Sequence, residues 1–132
     1  MSLLLDGLAA AFFGRRVTIP DALLARHPEL AGVRWRRGGL PPRVGGWCLG
    51  QRSVAAITLW RTVFLAPRAR LEPWLLLHEL AHVRQFEASP WFPADYIWES
   101  LRHGYGGNKY EIAANSFAEL CLRGAPPPSQ DA

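Results

Sequence analysis

The sequence predicts an α+β domain in which a small antiparallel or mixed sheet packs on one long helix, with further helices behind it. Two observations predict this. Short β-branched and apolar runs fill the chain up to Leu65, and three helical patterns then occupy Glu72 to Leu120, punctuated by proline and glycine. Strands gathered before helices, rather than alternating with them, are the pattern of an α+β fold. The length of 132 residues suits one domain with a core of its own. Its expected span is residues 1–123, with residues 124–132, rich in proline, as a disordered tail.

The elements follow in order. The apolar stretch Leu3 to Phe13 reads as a helix rather than a secretory signal, because no basic residue precedes it and Asp6 interrupts it. Pro20 followed by Asp21-Ala22-Leu23-Leu24-Ala25-Arg26 predicts a short helix stopped by Pro28. Gly32-Val33-Arg34-Trp35-Arg36 alternates as a strand does, and Val44 to Leu49 suggests an irregular one. Ser53 to Leu59 and Thr62 to Leu65 have strand character and are close enough to form a hairpin. Pro73 suits the first turn of a helix reaching about Glu87, since its missing N–H is not needed there. A second helix runs from Pro90 and Pro93 through Arg102. His103-Gly104-Tyr105-Gly106-Gly107-Asn108 is expected to be a loop, and Asn108 to cap a last helix through Leu120 that Gly124 ends.

Composition narrows the function. No run of about twenty apolar residues exists, so no membrane partner is expected and the default location is cytoplasmic. Cys48 and Cys121 are too few for a disulfide framework and fit no zinc spacing; both read as reduced, packed thiols. The net charge is +4, and the segment from Leu30 to Leu71 holds eight arginines and no acidic residue. That block could meet nucleic acid, but strand alternation would divide it between two faces, and a solvated sheet face is favoured.

The chemistry concentrates at His78-Glu79-Leu80-Ala81-His82, the His-Glu-x-x-His signature of zinc metallopeptidases. Two histidines four residues apart on a helix differ by about 40° in heading and one turn in height, so both rings can grip one ion. Glu79 lies roughly 100° further round and can serve as general base toward a metal-activated water. Only four histidines occur in the chain, so two at this spacing around a glutamate argue for a Zn²⁺ site.

A catalytic zinc takes three protein ligands. Position 88, where one common arrangement has its third histidine, is Ala88. The remaining candidates are Glu87, Asp95, Glu99, His103, Glu111 and Glu119. Glu87 lies nine residues after His78, on the far side of the same helix. Glu111 stands out, in the first turn of the last helix and followed at i+4 by Asn115, which could hold a ligand histidine's outer nitrogen. His103 is the rival ligand.

The pentapeptide and the downstream Asn108-Lys109-Tyr110-Glu111-Ile112-Ala113-Ala114-Asn115 resemble the gluzincin arrangement. The context Leu77-His78-Glu79-Leu80-Ala81-His82-Val83-Arg84-Gln85 and the run Ile57 to Leu65 resemble the very small bacterial gluzincin-like (minigluzincin-like) domains. The likeness covers residues 54 to 122. It implies a zincin-like fold, Glu111 as third zinc ligand, and hydrolysis of peptide bonds with Glu79 as base. Larger gluzincins often have an aspartate where this chain has Asn115, which lacks the charge that raises histidine basicity.

His103, Tyr105 and Tyr110 are the candidates to stabilise the transition state, with Asn115 in support of the ligands. A peptide or protein substrate could add as a strand to an edge formed by Val54–Leu59 or Thr62–Leu65. Two other readings remain open at this point: a zinc-bound but non-catalytic interaction module of a larger assembly, and a SprT-like protease acting near nucleic acid, which a ligand role for His103 would favour.

Overall fold

The computed structural model describes residues 2–39, 41 and 55–124. Two compact units make up the chain, Met1–Arg70 and Leu71–Ala132. Among the described residues the architecture is mixed α and β, with five α-helices and one four-stranded mixed sheet. The expected strand at Val44–Leu49, Cys48 and the tail from residue 125 onward lie outside the described residues.

The first unit begins with helix α1 (Ser2–Phe13). Strand β1 (Arg15–Arg16), helix α2 (Asp21–Arg26) and a 3-10 turn (Pro28–Gly32) follow. Strands β2 (Arg34–Arg37), β3 (Ala56–Leu59) and β4 (Thr62–Leu65) complete the unit. Helix α2 starts after Pro20 and ends before Pro28, as the prolines dictate.

The sheet order is β1-β2-β4-β3. β1 pairs antiparallel with β2, β2 parallel with β4, and β3 antiparallel with β4. The expected hairpin is present, with Leu59 opposite Thr62 and only Trp60 and Arg61 between the strands. Trp60 takes a left-handed φ of 54°, a costly conformation for a bulky residue. The neighbouring Arg61 fixes the turn: its guanidinium donates to the Gly32 carbonyl at 2.8 Å, and its own carbonyl accepts from Arg34 N at 2.9 Å.

One expectation about strand edges needs correction. Thr62–Leu65 is paired on both sides, by β2 and β3, so it offers no edge; among the described residues β3 is the outer strand on that side. Val63 and Leu65 are fully buried and Phe64 nearly so, which is what an inner strand covered on both faces requires. The core of this unit adds Ile19, Leu30, Val33 and Trp35, whose indole N–H donates to the Leu30 carbonyl at 3.0 Å.

Several arginines of the basic block serve the backbone. Arg36 donates to the carbonyls of Phe13, the last residue of α1, and Gly14 just after it, where carbonyls lack helical partners. Arg37 donates to the carbonyls of Ala66, Pro67 and Ala69. Arg34 and Arg68 remain exposed.

The second unit contains helices α3 (Pro73–Ala88), α4 (Phe92–Gly107) and α5 (Lys109–Leu122). Every residue from Leu76 to Val83 in α3 is buried, so the helix is covered all round, polar residues included. It packs most extensively on α5, where the small residues Ala114 and Ala118 and the ring of Phe117 are buried. The stretch expected as a loop from His103 to Asn108 is a single break. Gly104 alone leaves the helix (φ 72°, ψ 171°), and one further turn follows before Asn108 starts α5. Asn108 caps α5 as predicted, its side-chain oxygen accepting from Tyr110 N at 2.8 Å. Among the described residues, no helix is long and apolar enough to cross a membrane.

Gly14 turns the chain between α1 and β1 with φ 66°, and a Cβ there would press on the Arg37 and Gly38 backbone oxygens. Gly14→Ala is therefore expected to lose about 2–3 kcal/mol in chemical denaturation, combining a strained φ with a backbone clash. Gly7→Ala, inside α1 with open space around it, should instead gain about 0.5–1 kcal/mol.

Candidate metal centre

Helix α3 supplies His78, Glu79 and His82, and α5 supplies Glu111 from its first turn. All four are nearly sealed from solvent, at 5, 4, 7 and 6% exposure respectively. His78 Nε2 lies 3.0 Å from Glu111 Oε2, and His82 Nε2 lies 3.1 Å from Glu111 Oε1. The two Nε2 atoms are 3.2 Å apart. Among the described residues, these three are the group of side chains that could hold a metal ion.

The donor set fits a small divalent cation. A tetrahedral ion about 2.0–2.1 Å from each ligand atom separates those atoms by about 3.3 Å, close to the spacing found here. Without a cation the cluster demands a proton. Burial favours the neutral His82 ring, but the hydrogen bond to Glu111, the charges of Glu79 and Glu111 and the contact with Gln85 outweigh it, pushing the ring up to about 9. Glu111 shows the reverse. Burial would raise its pKa, yet hydrogen bonds from His78 and His82, the His82 charge and Tyr96 hold it well below the usual carboxylate range.

Around these side chains the three helices are tied together. His82 Nδ1 contacts Gln85 Oε1 at 2.7 Å, and Gln85 Nε2 donates to the Tyr110 carbonyl at 3.0 Å, joining α3 to α5. Tyr96 of α4 donates its hydroxyl to Glu111 Oε1 at 2.6 Å. Burial first, then the hydrogen bond to Glu111 and its charge, pushes the Tyr96 phenol up, so it stays an O–H donor. Asn108 is fully buried; its amide donates to the Tyr96 carbonyl at 3.2 Å and to Ser100 Oγ at 2.9 Å. Trp74, one turn before His78, stacks on that ring with centroids 5.0 Å apart.

The residues singled out in the sequence divide clearly. His78, His82 and Glu111 converge, with Glu79 buried beside them. Asn115 is exposed on α5, and the outer nitrogen of His82 is held by Gln85 instead. His103 is also exposed and outside the cluster. Tyr105 is 44% exposed, yet loss of hydration and the nearby Glu111 charge push its phenol up. Tyr110 is half-buried, its ring edge-on to Phe92 at 5.0 Å and its carbonyl used by Gln85. Glu87, Asp95 and Glu119 are exposed, and Glu99 accepts from Lys109 N at 3.4 Å.

Sequence reasoning missed Gln85, Tyr96 and Trp74. Gln85 and Trp74 carried a usable signal, lying three residues after His82 and four before His78, on neighbouring turns of one helix. Tyr96 carried none, because its approach to Glu111 depends on how α4 meets α5. Compared with family models, curated proteins and solved structures, the chain gives no significant match.

In metal-free protein, His82 contributes stability that is full below its unfolded value near 6.5 and lost as pH rises through about 9. Glu111, with a lowered pKa, contributes above its unfolded value near 4.5 and loses it as pH falls. The melting temperature after chelation should therefore fall by a few degrees between pH 6.5 and 9, and Glu111→Gln should flatten that slope. Gln85→Ala frees the His82 ring and should weaken zinc binding by about 10–100-fold in chelator competition.

Proposed function

We propose that this protein is a zinc-dependent metallopeptidase of the gluzincin type, hydrolysing peptide bonds in a peptide or protein substrate. One observation carries the reading: two histidines of one helix and a glutamate of another converge in a buried site, with a second buried glutamate between the histidines in sequence. His78, His82 and Glu111 would hold the ion. The chemistry such an ion supplies is Lewis acidity toward the attacking water and the scissile carbonyl.

Glu79 is the general base. Its carboxylate takes a proton from the water as the new C–O bond forms, then passes it to the amine nitrogen as the C–N bond breaks. Tyr105, partly exposed and kept protonated near Glu111, would be the donor to the oxygen on which charge develops.

The same burial favours a second reading. A site whose four polar residues are almost wholly covered also suits an ion kept for structure, in a zinc-bound interaction module without catalysis.

Metal analysis and peptide-library cleavage separate these readings. Glu79→Gln should keep zinc and lower cleavage by a factor of about 10²–10⁴, the usual contribution of a general base. Glu111→Ala should lose most of its zinc. Full zinc in Glu111→Ala refutes the ligand set, and cleavage at the wild-type rate by Glu79→Gln refutes the mechanism. Zinc bound without any cleavage, together with a melting temperature that drops on chelation, selects the structural reading.

A further inference from the structure

Glu111 presents its two carboxylate oxygens unequally. Oε1 accepts the Tyr96 hydroxyl at 2.6 Å and lies 3.1 Å from His82 Nε2. Oε2 lies 3.0 Å from His78 Nε2. An oxygen already accepting a short O–H bond has less charge to give a cation and is fixed in direction. Tyr96 is itself fixed, since Asn108 donates to its carbonyl and its ring meets Phe92 at 5.8 Å and His82 at 6.1 Å. The ring contacts with Phe92 and His82 hold the hydroxyl on Oε1.

We propose that Tyr96 is a positioning residue that sets which ion the cluster accepts. By holding Oε1 it leaves Glu111 one oxygen, Oε2, for the metal. This inference rests on the cluster binding a metal, and it does not depend on whether the protein is a peptidase. Zinc is satisfied by four ligands, a single carboxylate oxygen among them. Manganese and calcium favour six or more oxygen-rich positions and readily use both oxygens of a carboxylate. A carboxylate pinned to one oxygen therefore favours the four-coordinate ion, and releasing the second oxygen shifts the balance toward the others.

The test is Tyr96→Phe, which keeps the ring and its packing and removes only the hydroxyl. Zinc and manganese affinities are measured by chelator competition, and cobalt is used as a visible probe of coordination number. Zinc affinity is expected to fall about 10–100-fold. Manganese affinity should change little, so the preference narrows by at least about tenfold. The intense visible bands of four-coordinate cobalt should weaken as a second oxygen joins. The melting temperature of the metal-free variant shows whether the fold persists. If it is lowered, the cobalt spectrum recorded well below the melting point still reports the coordination.

An equal loss for zinc and manganese with an unchanged cobalt spectrum would mean that Tyr96 merely stabilises the fold, and overturns the proposal. So would unchanged affinities. A wild-type protein that binds none of these ions removes the metal-site reading, and this inference with it.

Discussion

The carboxylate of Glu111 is the interaction on which the second unit depends. Burying a charge costs several kcal/mol unless partners surround it. Here His78, His82 and Tyr96 all reach it, from α3 and α4. The polar residues of α3 are buried because the helix is covered all round, from Leu76 to Val83. The two histidine rings among them converge on Glu111.

Position comes from the ends of the helices. Glu111 is the third residue of α5, where the helix N-terminus favours a negative charge. Asn108 fixes that end from both sides: its oxygen caps Tyr110 N, and its amide grips the Tyr96 carbonyl and the Ser100 hydroxyl of α4. One buried side chain thus sets the start of the helix carrying Glu111 and the placement of the helix carrying Tyr96. Gly104 makes this possible by breaking α4 with a left-handed φ just before the cap.

What the sequence revealed was local. Prolines and caps marked α2, α3 and α5, and the two-residue spacing marked the hairpin. The pentapeptide marked the two histidines, and the first-turn position drew attention to Glu111. What it concealed depends on contacts between distant segments. The parallel pairing of β2 with β4 involves residues 28 apart in sequence, and β1 is too short to leave a pattern. Three glycines within the stretch 104–107 suggested a loop, but only Gly104 departs from helix. Asn115 had suitable spacing from Glu111, yet it is exposed, and an amide on α3 itself reaches His82 first. Periodicity gives a side chain's heading on its own helix; it does not say what the neighbouring helix presents there.

The two histidines are held differently, and this bears on their chemistry. Gln85 donates its amide N–H to the Tyr110 carbonyl, so its oxygen must face His82 Nδ1 and that nitrogen must carry a proton. The neutral form of His82 then has its lone pair on Nε2, toward the cluster, which is the form a metal needs. His78 has no such guide: among the described residues its Nδ1 is buried without a hydrogen-bond partner, and stacking on Trp74 fixes the plane of the ring but not its proton. To offer Nε2 to a cation, His78 must carry its proton on Nδ1, which has no hydrogen-bond partner among the described residues. His82 is accordingly the nitrogen donor prepared in advance. His78 and the oxygen of Glu111 facing it form the more yielding side of the site.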